Sequence, residues 1–285
     1  MGVRERVSGS VGLTRPGNAF AGGTLTLIGS FVAGGLLTSP VAVGAAVGST
    51  MMGVAAGNTI NDYFDREIDA INRPNRPLPS GAVTPRWALG QSGVLFVLAI
   101  GLALTLPPLA IGIAVFNLLL LITYTQWFKG TPGVGNAVVA FLGGSTFLYG
   151  GAAVGAVETT VVLFVLAAMA TLGREIIKDV EDVTGDEEMG ARTLPIVMGE
   201  RFALRVAAVT LGIAVLASPL PYLLGTFGLG YLIVVFPGVL AMALGAWSAF
   251  SNPGRGQRLV KLGMFVAIAA FMIDRATVLV TMPGF

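Results

Sequence analysis

The chain has 285 residues, 54% of them hydrophobic and only 11% charged, with a net charge of +2. A soluble domain carries about 25% charged residues, so a chain this apolar has to face lipid, and a charge this small does not imply a nucleic-acid partner. Cysteine and histidine are both absent, which excludes disulfides, thiolate catalysis, the Ser-His-Asp triad and His-ligated zinc and leaves carboxylate, amide, Tyr, Lys/Arg and oxygen-bound metal chemistry.

The opening MGVRERVSGSVGLTRPGNAF has no compact apolar stretch ahead of a cleavage site, so no signal peptide is expected. A membrane helix needs about 20 mostly apolar residues. Candidate spans then follow in order: Asn18 to Thr38, Val41 to Ile60, Ala88 to Leu106, Leu109 to Trp127, Gly135 to Val154, Thr159 to Gly173, Ala203 to Leu223, Leu229 to Phe250 and Leu259 to Met282. Their connections alternate between short, almost uncharged ones and long polar ones. Every basic residue except Arg275 falls on the long-loop side. By the positive-inside rule, the N-terminus and the long loops are cytoplasmic and the C-terminus is outside. The expected fold is all-α, a multi-pass protein of the cell membrane with about nine transmembrane helices bundled around a central cavity, as one domain over residues 1–285.

The second and sixth spans run into acidic segments of one spacing, D-x-x-D-x-x-x-D. The first carries Asp62, Asp65 and Asp69, and the second, 117 positions on, carries Asp179, Asp182 and Asp186. Similar turns follow, Arg76-Pro77-Leu78-Pro79 and Arg192-Thr193-Leu194-Pro195. An offset of four spans makes the two helices parallel, as a duplicated four-helix unit plus one helix requires. Both acidic ends then face a cavity at the cytoplasmic side.

If the helix continues through the first segment, Asp62, Asp65 and Asp69 share a face with Asn58, and Asn61 lies at its edge. Carboxylates this dense repel one another unless a cation lies between them. Mg²⁺ takes one or two carboxylates and binds substrate phosphates, so two such half-sites point to two Mg²⁺ ions clamping one diphosphate. The bland alternative is a solvated acidic loop at a helix end. Arg73, Arg76, Arg192 and Lys129 are placed to steady a departing diphosphate; ordinary anchoring by positive charge is the other reading. Arg15 and Asn18 open the first span and reach the cavity rim. Tyr63, Tyr124 and Tyr149 are expected nearest the cytoplasmic mouth, either lining it or forming the interfacial aromatic belt. Asp274 and Arg275 are charged within a span, and their position toward the opposite membrane face assigns them a structural role.

The motif N-D-x-x-D-x-x-x-D at Asn61, Asp62, Asp65 and Asp69, with its partner at Asp182 and Asp186, resembles the UbiA superfamily of intramembrane prenyltransferases over nearly the whole chain. Within it, REIIKDVEDVTGDEEMGARTLPIVMG and FKGTPGVGNAVVAF look most like the archaeal digeranylgeranylglyceryl phosphate synthases. The resemblance implies that Asn61, Asp65 and Asp69 hold one Mg²⁺ and Asp182 and Asp186 another, with Asp62 and Asp179 beside them. It implies transfer of a geranylgeranyl group from its diphosphate to the free hydroxyl of geranylgeranylglyceryl phosphate, a lipid acceptor, which makes the second ether bond of archaeal lipids. The candidate catalytic residues are then Arg15, Arg73, Arg76, Tyr124 and Lys129. The candidate substrate contacts are Asn18, Asn58, Tyr149, Lys178 and Arg192. The same chemistry on an aromatic or chlorin acceptor is the alternative. An ion-coupled transporter with paired acidic sites is the alternative of another class; acidic residues at span ends, with Pro-rich loops between them, argue against it.

Overall fold

The computed structural model describes residues 3–128, 130–188 and 190–281. Lys129 and the end of the ninth expected span at Met282 lie outside the described residues. Fifteen α-helices follow one another: α1 Val3–Thr14, α2 Pro16–Val32, α3 Gly35–Thr38, α4 Pro40–Phe64, α5 Arg66–Asn72, α6 Pro85–Ala103, α7 Pro108–Thr123, α8 Val134–Ala153, α9 Val161–Glu181, α10 Val183–Glu188, α11 Leu194–Met198, α12 Glu200–Ala217, α13 Leu220–Leu223, α14 Leu229–Ser248 and α15 Pro253–Thr281. A π-helical turn, Tyr124–Phe128, extends α7, and a 3₁₀ turn, Val157–Thr160, leads into α9.

Proline opens α2, α4, α6 and α7, where its missing N–H costs nothing and its fixed φ suits the first turn. Among the described residues, six helical stretches are long and apolar enough to cross a membrane: Pro40–Phe64, Pro85–Ala103, Pro108–Phe128, Val157–Glu181, Glu200–Leu223 and Leu229–Ser248. The other three expected spans correspond to α2, α8 and α15, which pack in the same bundle without standing among those six. The bundle wears its apolar residues outward, with Val41 85% and Leu216 82% exposed. A surface like this is stable only against lipid.

Packing divides around α8 and α9. On one side α4, α6, α7 and α8 enclose a small-residue core of Ala46, Ala103, Ala110 and Ala153. On the other, α9, α12 and α15 meet around Ile176, Ile177, Leu211 and Val260. With no hydrophobic drive between helices in lipid, close backbone approach supplies much of the cohesion. A Cβ on Gly150 of α8 would stand 2.3 Å from the Thr26 carbonyl oxygen of α2, and the Ser30 hydroxyl of α2 donates to the Gly150 carbonyl at 2.9 Å. Gly263 of α15 lies as tightly against α14, its Cβ position 2.4 Å from the Gly238 carbonyl.

The N-terminal segment folds back as α1. Leu13 is wholly buried with Leu78, Val83 and Ala88. The Trp87 indole and the Gln91 amide donate to the Ser10 hydroxyl and carbonyl, each at 2.9 Å.

Gly150→Val should destabilise the protein by about 1–3 kcal/mol through overpacking at the α2–α8 crossing. Gly101→Val, whose Cβ position has nothing within 4 Å, should be nearly neutral. Thermal unfolding of both variants in detergent tests the pair, and equal midpoints would remove the close crossing from the account.

Candidate active site at the acidic end of the bundle

Both acidic helices interrupt at the same motif position. α4 ends at Phe64, and Asp65 leaves helical geometry with φ −80° and ψ −1° before α5 begins. α9 ends at Glu181, and Asp182 takes φ −91° and ψ 2° before α10. The expected uninterrupted helix is therefore corrected to a break at the middle aspartate of each motif. Two i→i−4 hydrogen bonds flank the first break, Asp65 N to Asn61 O at 2.9 Å and Asp69 N to Asp65 O at 2.8 Å. Asp182 N to Lys178 O at 2.9 Å and Asp186 N to Asp182 O at 3.0 Å repeat the pattern. These aspartate N–H bonds link the two helical pieces at each break.

The two ends meet at one end of the bundle. The Tyr124 phenol, in the π-helical turn, stands in the field of Glu175 and Asp179 from α9 and of Asp65 at the end of α4. π-helical turns recur at functional sites. Asn136, in the first turn of α8, donates to Asp179 at 2.8 Å.

Cations and amides already engage the first cluster. Asp62 is 5% and Asp69 7% exposed. Arg76 Nη1 lies 2.5 Å from Asp69 Oδ2 and 3.4 Å from Asp62 Oδ1, while Arg15 Nη2 lies 2.5 Å from Asp62. Arg15 reaches it from a left-handed backbone (φ 46°, ψ 69°), the one positive φ outside glycine among the described residues. Such a conformation costs on the order of 1 kcal/mol and persists where surrounding contacts impose it. The Asn58 amide donates to the Thr14 carbonyl at 3.1 Å and thereby braces the residue before Arg15. The Asn61 amide donates to Asp65 at 3.0 Å.

The second cluster is more open. Lys178 Nζ lies 3.9 Å from Asp182 Oδ2. Burial pushes the Asp186 carboxyl above its ordinary range, and the neighbouring Asp182 charge acts in the same direction. Arg174 pairs with Glu175 one turn before the motif. Its Nε and the Thr193 hydroxyl are buried without a partner among the described residues.

The other expected site residues are placed as follows. Tyr63 stacks under the Arg66 guanidinium, 4.8 Å from its ring centre. Asn18, Arg73 and Arg192 are exposed at the same end of the bundle. Tyr149 is not near the mouth. It is buried in the last turns of α8, in the core of Ala46 and Ala110, level with Ser49 and about 20 Å along α4 from Asp62. The reason is direction, since α8 starts at the acidic end and runs away from it. Asn136, Arg174 and Glu175 join the site without a motif to mark them.

Among the described residues, no three acidic side chains converge as a ready cage for a metal ion. Repulsion between carboxylates explains the spread: Asp62 and Asp69 turn to arginine, Asp65 and Asp179 to an asparagine amide, and Asp182 to Lys178. The donor set still fits a hard divalent cation. It is all oxygen, a guanidinium already bridges Asp62 and Asp69, and Asp182 and Asp186 lie near enough for the charge of the first to act on the second.

The sequence matches the model of the UbiA prenyltransferase family over residues 24–269. The chain is 59% identical over 275 residues to the digeranylgeranylglyceryl phosphate synthase of Natronomonas pharaonis, covering 96% of this chain and 99% of that one. It is 56% identical to the enzyme of the same name from Halobacterium salinarum, covering 95% and 98%. A solved structure of digeranylgeranylglyceryl phosphate synthase in membranes superposes with a TM-score of 0.87 at 32% identity, covering 96% of this chain and 99% of that one. A UbiA homologue from Archaeoglobus fulgidus bound to DMAPP and Mg²⁺ shares the fold, with a TM-score of 0.71 at 18% identity and 94% and 99% coverage.

Arg76→Gln leaves Asp69 without its guanidinium and Asp62 with Arg15 alone. It should lower stability by about 1–3 kcal/mol, read as a lower thermal midpoint, and added Mg²⁺ should recover part of the loss. An unchanged midpoint would reduce Arg76 to a surface anchor.

Proposed function

The chain belongs to the UbiA prenyltransferase family, and we propose on that premise that it transfers a geranylgeranyl group from geranylgeranyl diphosphate to the free hydroxyl of geranylgeranylglyceryl phosphate, forming the second ether bond of archaeal membrane lipids. The protein is an integral, multi-pass membrane enzyme, which sets aside the ion-coupled transporter. The observation that carries the reading is the meeting of two acidic helix ends, broken at the same motif position, around Tyr124 at one end of an apolar bundle. That arrangement suits ligands with an anionic head and a hydrocarbon tail.

Mg²⁺ belongs to this site, and two ions are proposed. Asn61, Asp65 and Asp69 would hold one and Asp182 and Asp186 the other, with Asp62 and Asp179 beside them. When bound, it neutralises charge on the diphosphate. Because Arg76 and Arg15 occupy Asp69 and Asp62, a metal at the first cluster competes with guanidinium, and the displaced arginines become free to contact phosphate. Lys129, Arg73 and Arg192 add positive charge toward the same ligand, and Lys178, Asn18 and Asn58 border the head-group region.

The donor's allylic C–O bond breaks with its electron pair going to the diphosphate, and the acceptor oxygen forms the new C–O bond. The hydroxyl proton leaves to a site carboxylate or to the diphosphate. The apolar walls keep out water, which would otherwise capture the allylic carbon. One prenyltransferase unit spans residues 1–285. Its acidic end and N-terminus face the cytoplasm and its C-terminus the outside, on the evidence of the basic loops.

Purified protein incubated with Mg²⁺ and geranylgeranyl diphosphate should prenylate geranylgeranylglyceryl phosphate, with the product identified by mass. Product formed only from 4-hydroxybenzoate or a chlorin would reassign the acceptor. Asp65→Ala and Asp182→Ala should each cut turnover by more than about 100-fold while the protein stays folded in the membrane; full turnover by either would remove that residue from the metal set. Lys129→Met should raise the donor's KM about tenfold, and unchanged kinetics would leave Lys129 an anchor.

A further inference from the structure

Two cavities lie on opposite faces of α8. One, of about 560 Å³, is lined by Ser49, Thr50, Asn117, Thr146 and Tyr149. The Asn117 side-chain oxygen there is buried without a hydrogen-bond partner among the described residues, while the Ser49 hydroxyl, beside the Tyr149 phenol, donates to the Ala99 carbonyl at 2.8 Å. Hydrocarbon filling this cavity would leave the Asn117 oxygen unsatisfied, at the full cost of its desolvation.

The other, of about 700 Å³, lies between α8, α9, α14 and α15, with Gly143, Leu166, Tyr231, Met264 and Phe271 in its wall. Its tyrosine hydroxyl already donates to the Ser218 carbonyl at 2.8 Å, so the cavity accepts an apolar chain without stranding that polar atom. Polarity decides which of the two takes hydrocarbon. On α9 the cavity wall runs from Leu166 to Thr171, about 12–20 Å along the axis from Asp179, within reach of a C20 tail whose head group sits at that acidic end.

The far end of this cavity is closed by rings. Tyr231 and Phe271 are stacked with centroids 5.6 Å apart and planes 14° apart. Phe227 stacks behind both, at 5.1 and 5.4 Å, and Phe147 meets Phe271 edge-on at 6.5 Å. Asp274, 4% exposed, locks the stack in place. Its two carboxylate oxygens accept the backbone N–H groups of Gly228 and Tyr231, each at 3.0 Å, tying the first turn of α14 to α15. A hydrocarbon tail that reaches this wall meets packed rings rather than flexible side chains.

We propose that Phe147, Tyr231 and Phe271 form the chain-length stop for the isoprenoid tail of the diphosphate donor. The inference rests on the prenyltransferase reading above and adds the residues that set its donor preference. Two substitutions test it in opposite directions. Phe271→Ala opens the floor and should raise the ratio of C25 to C20 diphosphate turnover about tenfold or more. Gly143→Leu projects into the cavity, since a Cβ there meets nothing within 4 Å. It should depress C20 use while sparing C15 use. Leucine also raises helix propensity at that position, so this variant decides the matter if Phe271→Ala does not fold. The assay uses full-length protein in liposomes, one acceptor and C15, C20 and C25 donors, with folding checked by thermal unfolding. Donor ratios unchanged in folded variants would overturn the stop. So would a shift in acceptor-tail preference with the donor ratios constant. Wild-type protein inactive with every donor would instead overturn the transferase reading together with the stop.

Discussion

An apolar bundle that gathers its acidic residues at one end has to neutralise them there. Asp62 and Asp69 are nearly inaccessible to solvent, and carboxylates so placed are stable only beside positive charge. Much of the local architecture answers that demand. Helix α1 folds back under residues 77–91 and ends where Arg15 reaches Asp62. The turn after α5 returns Arg76 between Asp62 and Asp69. Even the strained backbone at Arg15 follows from it, because that conformation delivers the guanidinium while Pro16 starts α2.

The same demand recurs on the other half of the molecule with different means. Asp179 leans on an amide from α8 and Asp182 on the lysine one turn before it. The first cluster is thus closed by arginine and the second is looser and more exposed. In the two-ion reading proposed above, a divalent cation arriving with a diphosphate would meet less competition from arginine at the second cluster.

Several features of this architecture are legible in the primary structure. The doubled aspartate spacing predicts parallel helices with their acidic ends together, and Asp65 and Asp179 both act electrostatically on the Tyr124 phenol. Hydropathy locates the long helices because lipid leaves no other way to satisfy the backbone. The breaks at Asp65 and Asp182 escape such reasoning, because each falls in a polar segment where no apolar periodicity marks it. Asn136 and Arg174 escape it because their partners come from packing or from a neighbour with no motif. Tyr149 is a different case. The direction of α8 follows from the loop that precedes it, and counting residues from that loop places the ring far from the mouth. Asp274 is charged within a span for a reason found only in three dimensions: it finishes the first turn of another helix.

Burial of the first cluster has a bearing on ionic strength. Screening shortens to about 3 Å in molar salt and acts mainly on exposed charges. The Arg66–Glu67 contact, with the Glu67 side chain 86% exposed, would fade under such conditions. The Arg15–Asp62 and Arg76–Asp69 pairs, shielded by α1 and the turn beneath it, would not. The acidic end of this protein therefore holds its inner ion pairs more firmly against added salt than its surface ones.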